Sequence, residues 1–437
     1  MNKNRQVGGL HFATLDRIHK FFQKMNKQAN PVYFKVTNED ENHHGFQYKD
    51  GLNILDKKFD RNSNNHCSDG GLYFTTIDHI HEFFGYGIYL RVIELPIGDP
   101  DFKMVKIKNG THFRANKIIL KDKYLLSDIE THKKFNFNVN ATFQWASANG
   151  HLDVVKFLVE KGANIHAGND YALQSASENG HLDVVEFFVE KGADIHADND
   201  GALKWASSNG HLEVVKFLVK KGANIHADND YALTWASYNG HLKVVKFLVK
   251  KGADIHVDND GALLYASRSG YLEIVKLLVK KGADIHAYGD YALYSASQYG
   301  HLEVVEFLVE KDDNIHANND YSIAHIIHLA SQYGHLKIVK FLVEKYDNIH
   351  ANYDYALRVA CDNGHLDVVK FLVEKGANIH GDNDWALHLA SRYGHLEVVK
   401  FLVEKGADIH ANNNGALHLA SQYDHLEVVK FLEGFKN

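Results

Sequence analysis

Histidine is the residue type here with the most latent chemistry, and its spacing decides what that chemistry can be. Thirty-one of the 437 residues are histidine, and imidazole serves both as an acid–base group and as a metal ligand. Two columns dominate: one follows a glycine and begins at His151, the other follows an isoleucine and begins at His166. Zinc needs four ligands about 2 Å from one point, whereas equivalent side chains on successive packed helices stand roughly 8 to 10 Å apart. A ladder of that pitch cannot share an ion. The expected role is structural, with each imidazole bonding backbone groups within its own turn. His43 with His44 and His79 with His81 are better spaced but lack further ligands, and His66 beside Cys67 reads as a lone adjacent pair. No metal and no cofactor are expected.

Catalytic signatures are missing as well. The sequence has no phosphate-cradling Walker loop, no GxGxxG after a strand, no GxSxG and no HExxH. Any catalysis would have to reside in residues 30–120. With 45% hydrophobic and 24% charged residues the composition is that of an ordinary soluble protein. No run approaches the roughly 18 apolar residues of a membrane helix, and Asp16, Arg17 and His19 interrupt any secretory core near the start. Two cysteines, Cys67 and Cys361, cannot form a disulfide framework. These features predict a cytoplasmic monomer with no membrane association. If most imidazoles are accessible, mild acid would carry the formal charge from −7 to well above zero.

The elements that hold these histidines repeat. The string HLDVVKFLVEKGANIHA at His151 recurs at His181, His211, His241, Tyr271, His301, His335, His365 and His395, with a truncated copy at His425. The step is 30 residues except for one of 34 between His301 and His335. Residues 1–140 carry a net charge of +5 and all three prolines, while the rest carries −12 and none. A boundary near residue 140 follows from both.

Each unit reads as two short helices. In the second, Leu152, Val154, Val155, Phe157 and Leu158 form an apolar stripe opposite Lys156, Glu160 and Lys161, and Gly162 stops it. The first helix of the next unit starts after Asp170, with equivalents at Asp200, Asp230, Asp260, Asp290, Asp354 and Asp384, and these aspartates are predicted N-caps. Thirty residues cannot bury enough apolar surface to offset chain entropy, so the units must stack.

This pattern resembles the ankyrin repeat. The family's TPLH becomes Tyr171-Ala172-Leu173-Gln174, its LEVV stands at residues 212–215, and its GADVNA becomes Gly192-Ala193-Asp194-Ile195-His196-Ala197. The resemblance implies a mainly α ankyrin-repeat solenoid of about ten helix-turn-helix units over residues 141–437. The units are 141–170, 171–200, 201–230, 231–260, 261–290, 291–324, 325–354, 355–384, 385–414 and 415–437. They fall three residues short of the family length, which predicts stubby fingers. The Thr-Pro pair is absent, and the family's asparagine is histidine in nine copies from His166 to His410.

Residues 1–122 read as a small α+β N-terminal domain, with strands near 32–37, 72–75, 88–95 and 103–107 and helices near 12–25 and 77–85. The stretches from Gly45, Cys67 and Phe113 are similar to a module fused to ankyrin arrays in giant DNA viruses of amoebae. Residues 123–140 are predicted to form a capping half-repeat.

Columns that vary between units are free to carry recognition. One runs Trp145, Ser175, Trp205, Trp235, Tyr265; another places Tyr299, Tyr333 and Tyr393; a third places Tyr171, Tyr231, Tyr291 and Trp385. In ankyrin stacks such positions line the concave face, where aromatics anchor partners. Trp145, Trp205 and Trp235 read equally well as fillers between helices. A basic band on the second helices, Lys216, Lys220, Lys246, Lys250, Lys276 and Lys280, would steer an acidic partner or simply be solvated. Loss of the helix-ending glycine at Asp312 and Tyr346, with four extra residues at 322–325, predicts a bend or a contact site. The partner expected is a protein, in the host if the chain is viral, and not nucleic acid, since the array is net negative. The principal reading is a non-catalytic protein–protein interaction scaffold or adaptor. The alternative makes the array a recruiting arm for an enzymatic or ligand-binding N-terminal domain.

Overall fold

The computed structural model describes residues 32–65, 69–107, 110–311, 320–346 and 350–435, without the side chains of 320–322 and 351–353. The helix expected at 12–25 and the His66-Cys67 pair lie outside the described residues. The chain divides into two compact units, Met1–Asp194 and Ile195–Asn437.

The first unit holds an antiparallel sheet. Its strands are β1 (Tyr33–Thr37), β4 (Gly51–Ile54), β5 (Leu72–Thr76), β6 (Tyr89–Glu94), β7 (Met104–Lys106), β8 (His112–Ala115) and β9 (Lys117–Leu125), in the order β4-β9-β6-β1-β5-β8-β7; β2 (Asn42–His43) and β3 (Phe46–Gln47) form a separate hairpin. Side chains on a strand alternate between faces, and both faces are covered. Phe34 and Val36 of β1 join Ile80, Phe84, Leu90, Leu126 and Phe137 in one core, and Tyr33 packs against a second built on Tyr48, Leu72, Phe74, Ile93 and Ile118. The helix expected at 77–85 is a 3-10 helix, Ile80–Tyr86.

The expected boundary at residue 122 falls inside β9, which continues to Leu125. Residues 123–140 therefore comprise the strand's end, a short helix α1 (Ile129–Lys134) and the start of α2 (Val139–Ala148). Asp128 caps α1 by accepting a hydrogen bond from the Glu130 N–H at 3.0 Å. α1 lies against α3 (Leu152–Glu160), and α4 (Ala167–Glu178) and α5 (Leu182–Glu190) complete the unit.

The second unit is all helical among its described residues. First helices are α6 (Ala197–Ser208), α8 (Ala227–Tyr238), α10 (Val257–Arg268), α12 (Ala287–Gln298), α14 (Asp320–Gln332), α16 (Ala351–Asp362), α18 (Gly381–Arg392) and α20 (Ala411–Gln422). Second helices are α7 (Leu212–Lys220), α9 (Leu242–Lys250), α11 (Leu272–Lys280), α13 (Leu302–Lys311), α15 (Leu336–Tyr346), α17 (Leu366–Glu374), α19 (Leu396–Glu404) and α21 (Leu426–Glu433). First helices pack on first helices and second on second along the unit. Ala206, Ala236, Ala266, Ala296, Ala330, Ala360, Ala390 and Ala420 are fully buried between them, small enough for close approach. Val214, Val215 and Leu218 and their equivalents supply the core, each burial contributing roughly 1.5–3 kcal/mol. Where the stopping glycine is lost the helices run on: α13 has 10 residues and α15 has 11, against 9 for α7.

The stubby finger takes a specific form. Asp198, Asn199 and Asp200 are all left-handed, with φ of 55°, 52° and 57°, and the right-handed helix begins only at Gly201. The same three-residue left-handed turn recurs at 228–230, 258–260, 382–384 and 412–414. Asparagine and aspartate tolerate this region best after glycine, which accounts for the repeated DND strings and for the NNN at 412–414.

Candidate interaction surface

The aspartates ending these turns do not cap their own helices as expected; each bonds one group within its finger and one on the next repeat. Asp230 is buried, and its carboxylate faces His226 Nδ1 at 3.1 Å and accepts from the backbone N–H of Asp254 at 2.9 Å, 24 residues ahead. Asp200, Asp260 and Asp384 accept likewise from Asn224, Asp284 and Asp408 at 2.8 to 3.1 Å. A carboxylate on the first finger thus fixes the second.

The glycine-linked histidines also reach out of their own turn, correcting the expectation above. His241 Nε2 lies 2.9 Å from the carbonyl oxygen of Ser208, and His301, His365, His395 and His425 meet Arg268, Gln332, Asp362 and Arg392 in the same way. The isoleucine-linked column differs: His196, His226, His256 and His380 are more than half exposed and each faces the aspartate of its own finger.

On this scaffold the structure sorts the aromatic candidates. Trp145 is partly buried, edge-on to Phe84 at 5.0 Å and packed against the core of the sheet, the position of a filler between elements. Tyr171, also in the first unit, is exposed. Trp205 and Trp235 are 38% and 36% exposed, large fractions for tryptophan. Around Trp235 the rings form one group: Tyr231 stacks at 5.4 Å, Tyr265 at 6.4 Å, and Tyr238 stands edge-on at 5.3 Å. Further along, Tyr291 stacks on Tyr294 at 5.4 Å, which in turn stacks on His325 at 5.7 Å. Tyr299, Tyr333, Tyr393 and Trp385 are exposed outside these groups, Tyr299 beneath the Arg268 guanidinium and Tyr333 accepting a bond from Gln298 at 2.9 Å.

The lysines form a weaker band than their sequence implies. Lys216 and Lys276 pair with Glu213 and Glu273 on their own helices at 2.7 and 3.0 Å. α9 has no acidic residue in its first turn, so Lys243, Lys246 and Lys250 have no such partner on their own helix. In the irregular zone, residues 312–319 and 347–349 lie outside the described residues.

Sequence reasoning missed the support of the aromatic group. Lys204 is buried, ion-paired with Asp228 and over the Tyr231 ring at 5.7 Å. Burial pushes the Tyr231 phenol up, with Asp228 acting in the same direction. The signal was the variation of the fourth first-helix position, Gln174, Lys204, Thr234, Leu264, Tyr294, one place before the column that was read.

Stacked helix pairs with a constant interior and a variable first helix define a helical-repeat protein. Ankyrin is the repeat: the family described as Ankyrin repeats (3 copies) matches in overlapping segments from residue 107 to 436, and the chain belongs to it. The chain is 44% identical over 149 residues to a putative ankyrin repeat protein of Acanthamoeba polyphaga mimivirus, covering 33% of this chain and 74% of that one. A second such protein of the virus is 43% identical over 153 residues, covering 33% and 46%. An uncharacterized protein of the same virus is 45% identical over 131 residues, covering 28% and 94%. Ankyrin repeats serve in general as protein-interaction modules without catalysis. Among the described residues no helix is long and apolar enough to cross a membrane.

Proposed function

We propose that this chain is a protein-binding scaffold of a virus of amoebae, acting on a host protein in the host cytoplasm, with its main contact at the aromatic group of Tyr231, Trp235 and Tyr265 and at the exposed Trp205. The observation that carries this reading is the exposure of Trp235 within a stacked cluster. Rings already held by one another lose little freedom on binding, and tryptophan and tyrosine are the residues most often found at the energetic centre of interfaces. Neighbouring Tyr291 and Tyr299 extend the surface, and Lys246 and Lys250 on the second helices steer rather than anchor.

A peptide library displayed on phage and selected on the full chain tests this. Selected peptides lose binding to a Trp205→Ala/Trp235→Ala variant and keep it with Lys246→Glu/Lys250→Glu. Undiminished binding to the tryptophan variant would reject the assignment.

A further inference from the structure

The sheet of the first unit is split. β1 and β5 pair only where Tyr33 meets Thr76 and Phe34 meets Thr75, whereas on its other edge β1 pairs with β6 along all five residues. Beyond Phe34 the two strands part. The gap leads into a cavity of about 550 Å³ with Phe34, Val36, Phe46, Leu72, Phe74 and Ile80 among its walls. That volume is in the range of small-molecule sites, which are mostly apolar with a few placed polar groups.

One of those groups is a buried ammonium. Lys35 lines the cavity and is 7% exposed; its Nζ donates across the split to the Tyr73 carbonyl oxygen at 3.1 Å and stands 4.5 Å from the centre of the Tyr48 ring. A buried charge is costly unless paired, and the sheet pairs its other buried cations. Arg91, the cross-strand neighbour of Lys35, meets Glu41 at 3.2 Å and also Asp50. Arg114 meets Asp60 at 3.5 Å. Lys35 has no carboxylate within ion-pair distance among the described residues. The acids that border the cavity, Asp56 and Asp69, are exposed, and Asp69 pairs with Lys57 at 3.4 Å. His43, His44 and His112, with the phenols of Tyr48, Tyr73 and Tyr86, are the remaining titratable groups around it.

The geometry points to a ligand site: we propose that the cavity binds a small amphipathic anion, its apolar body between the diverging strands and its oxyanion group on Lys35. The sheet pairs Arg91 and Arg114 from within the chain; at Lys35 the ligand supplies the counter-charge. This site is independent of what the array binds.

Two fluorescent probes with the same ring skeleton test it on the full chain at pH 7. One, 8-anilinonaphthalene-1-sulfonate, carries an anion; the other, N-phenyl-1-naphthylamine, does not. The sulfonate binds at least tenfold more tightly than the neutral probe, and Lys35→Met abolishes that preference while leaving the neutral probe's affinity unchanged. On the unaltered protein, octanoate displaces the sulfonate and octanol does not, a result that needs no variant to fold. Equal affinity of the sulfonate for the Lys35→Met and unaltered chains, or equal displacement by octanoate and octanol, would overturn the proposal.

Discussion

The imidazole of His241 occupies the space that a β-carbon on Gly210 would need, while its Nε2 meets the Ser208 carbonyl oxygen at 2.9 Å. Gly210 has φ +80°, so this position demands glycine twice, for its backbone and for its neighbour. Gly210→Ala is expected to cost about 2–4 kcal/mol. Gly210→Ala/His241→Ala removes the clash but also the bond to the Ser208 carbonyl, so it should cost less than the sum of the Gly210→Ala and His241→Ala losses. Urea denaturation of the three variants checks the coupling.

The buried aspartates make a second prediction. Asp230→Ala leaves the Asp254 N–H and His226 without their acceptor, and a cost of about 2–3 kcal/mol follows. Asp230→Asn should cost much less, because the side-chain oxygen remains; the chain uses that solution at Asn414, whose Oδ1 meets His410 Nδ1 at 2.7 Å. Hydrogen exchange should place the Asp230→Ala loss at the fingers of the two repeats concerned.

These partners mark the limit of what could be read in advance. Helix positions in the array and the family were legible because repetition exposes each apolar column many times over. The partners of Asp230 and His241 were not, since their bonds span 24 and 33 residues and join repeats rather than turns. The aspartate was placed correctly and given the wrong bond. Trp145 stayed ambiguous because only the fold brings Phe84 beside it. Lys35 was hidden for a similar reason: nothing local in VYFKVT says that β1 is a central strand or that β5 leaves it after two residue pairs.

Acid should weaken the first unit. Burial lowers the proton affinity of His132, and burial with the nearby His132 and His181 lowers that of His151. Imidazoles with lowered folded-state pKa values take up protons more readily once unfolded. Their contribution to stability is therefore complete above the ordinary value of 6.5 and is lost as pH falls below it. Thermal melts between pH 7.5 and 5 should show a falling midpoint, and His132→Gln should flatten the dependence. An unchanged slope in that variant would remove His132 from the explanation.

Lys35 acts with the same sign in an alkaline window. Its pKa is lowered from 10.5 to about 7 by burial, so the unfolded chain holds this proton more tightly between those values. Stability from this group rises as pH climbs from 7 towards 10.5, by roughly 2 kcal/mol between pH 7 and 9. Lys35→Met should be more stable than the unaltered chain at pH 7 and should lack that rise. Denaturant melts at pH 7 and pH 9 measure both effects.

The most direct measurement is quantitative affinity capture from amoebal host cells with three forms of the full chain: unaltered, Trp205→Ala/Trp235→Ala, and Lys246→Glu/Lys250→Glu. Both tryptophans are more than a third exposed, so their removal should leave the melting temperature within about 2 °C. Proteins enriched by the unaltered chain should fall at least tenfold with the tryptophan variant and stay within twofold with the lysine variant. Capture that survives loss of both tryptophans and disappears with the lysines would contradict the account.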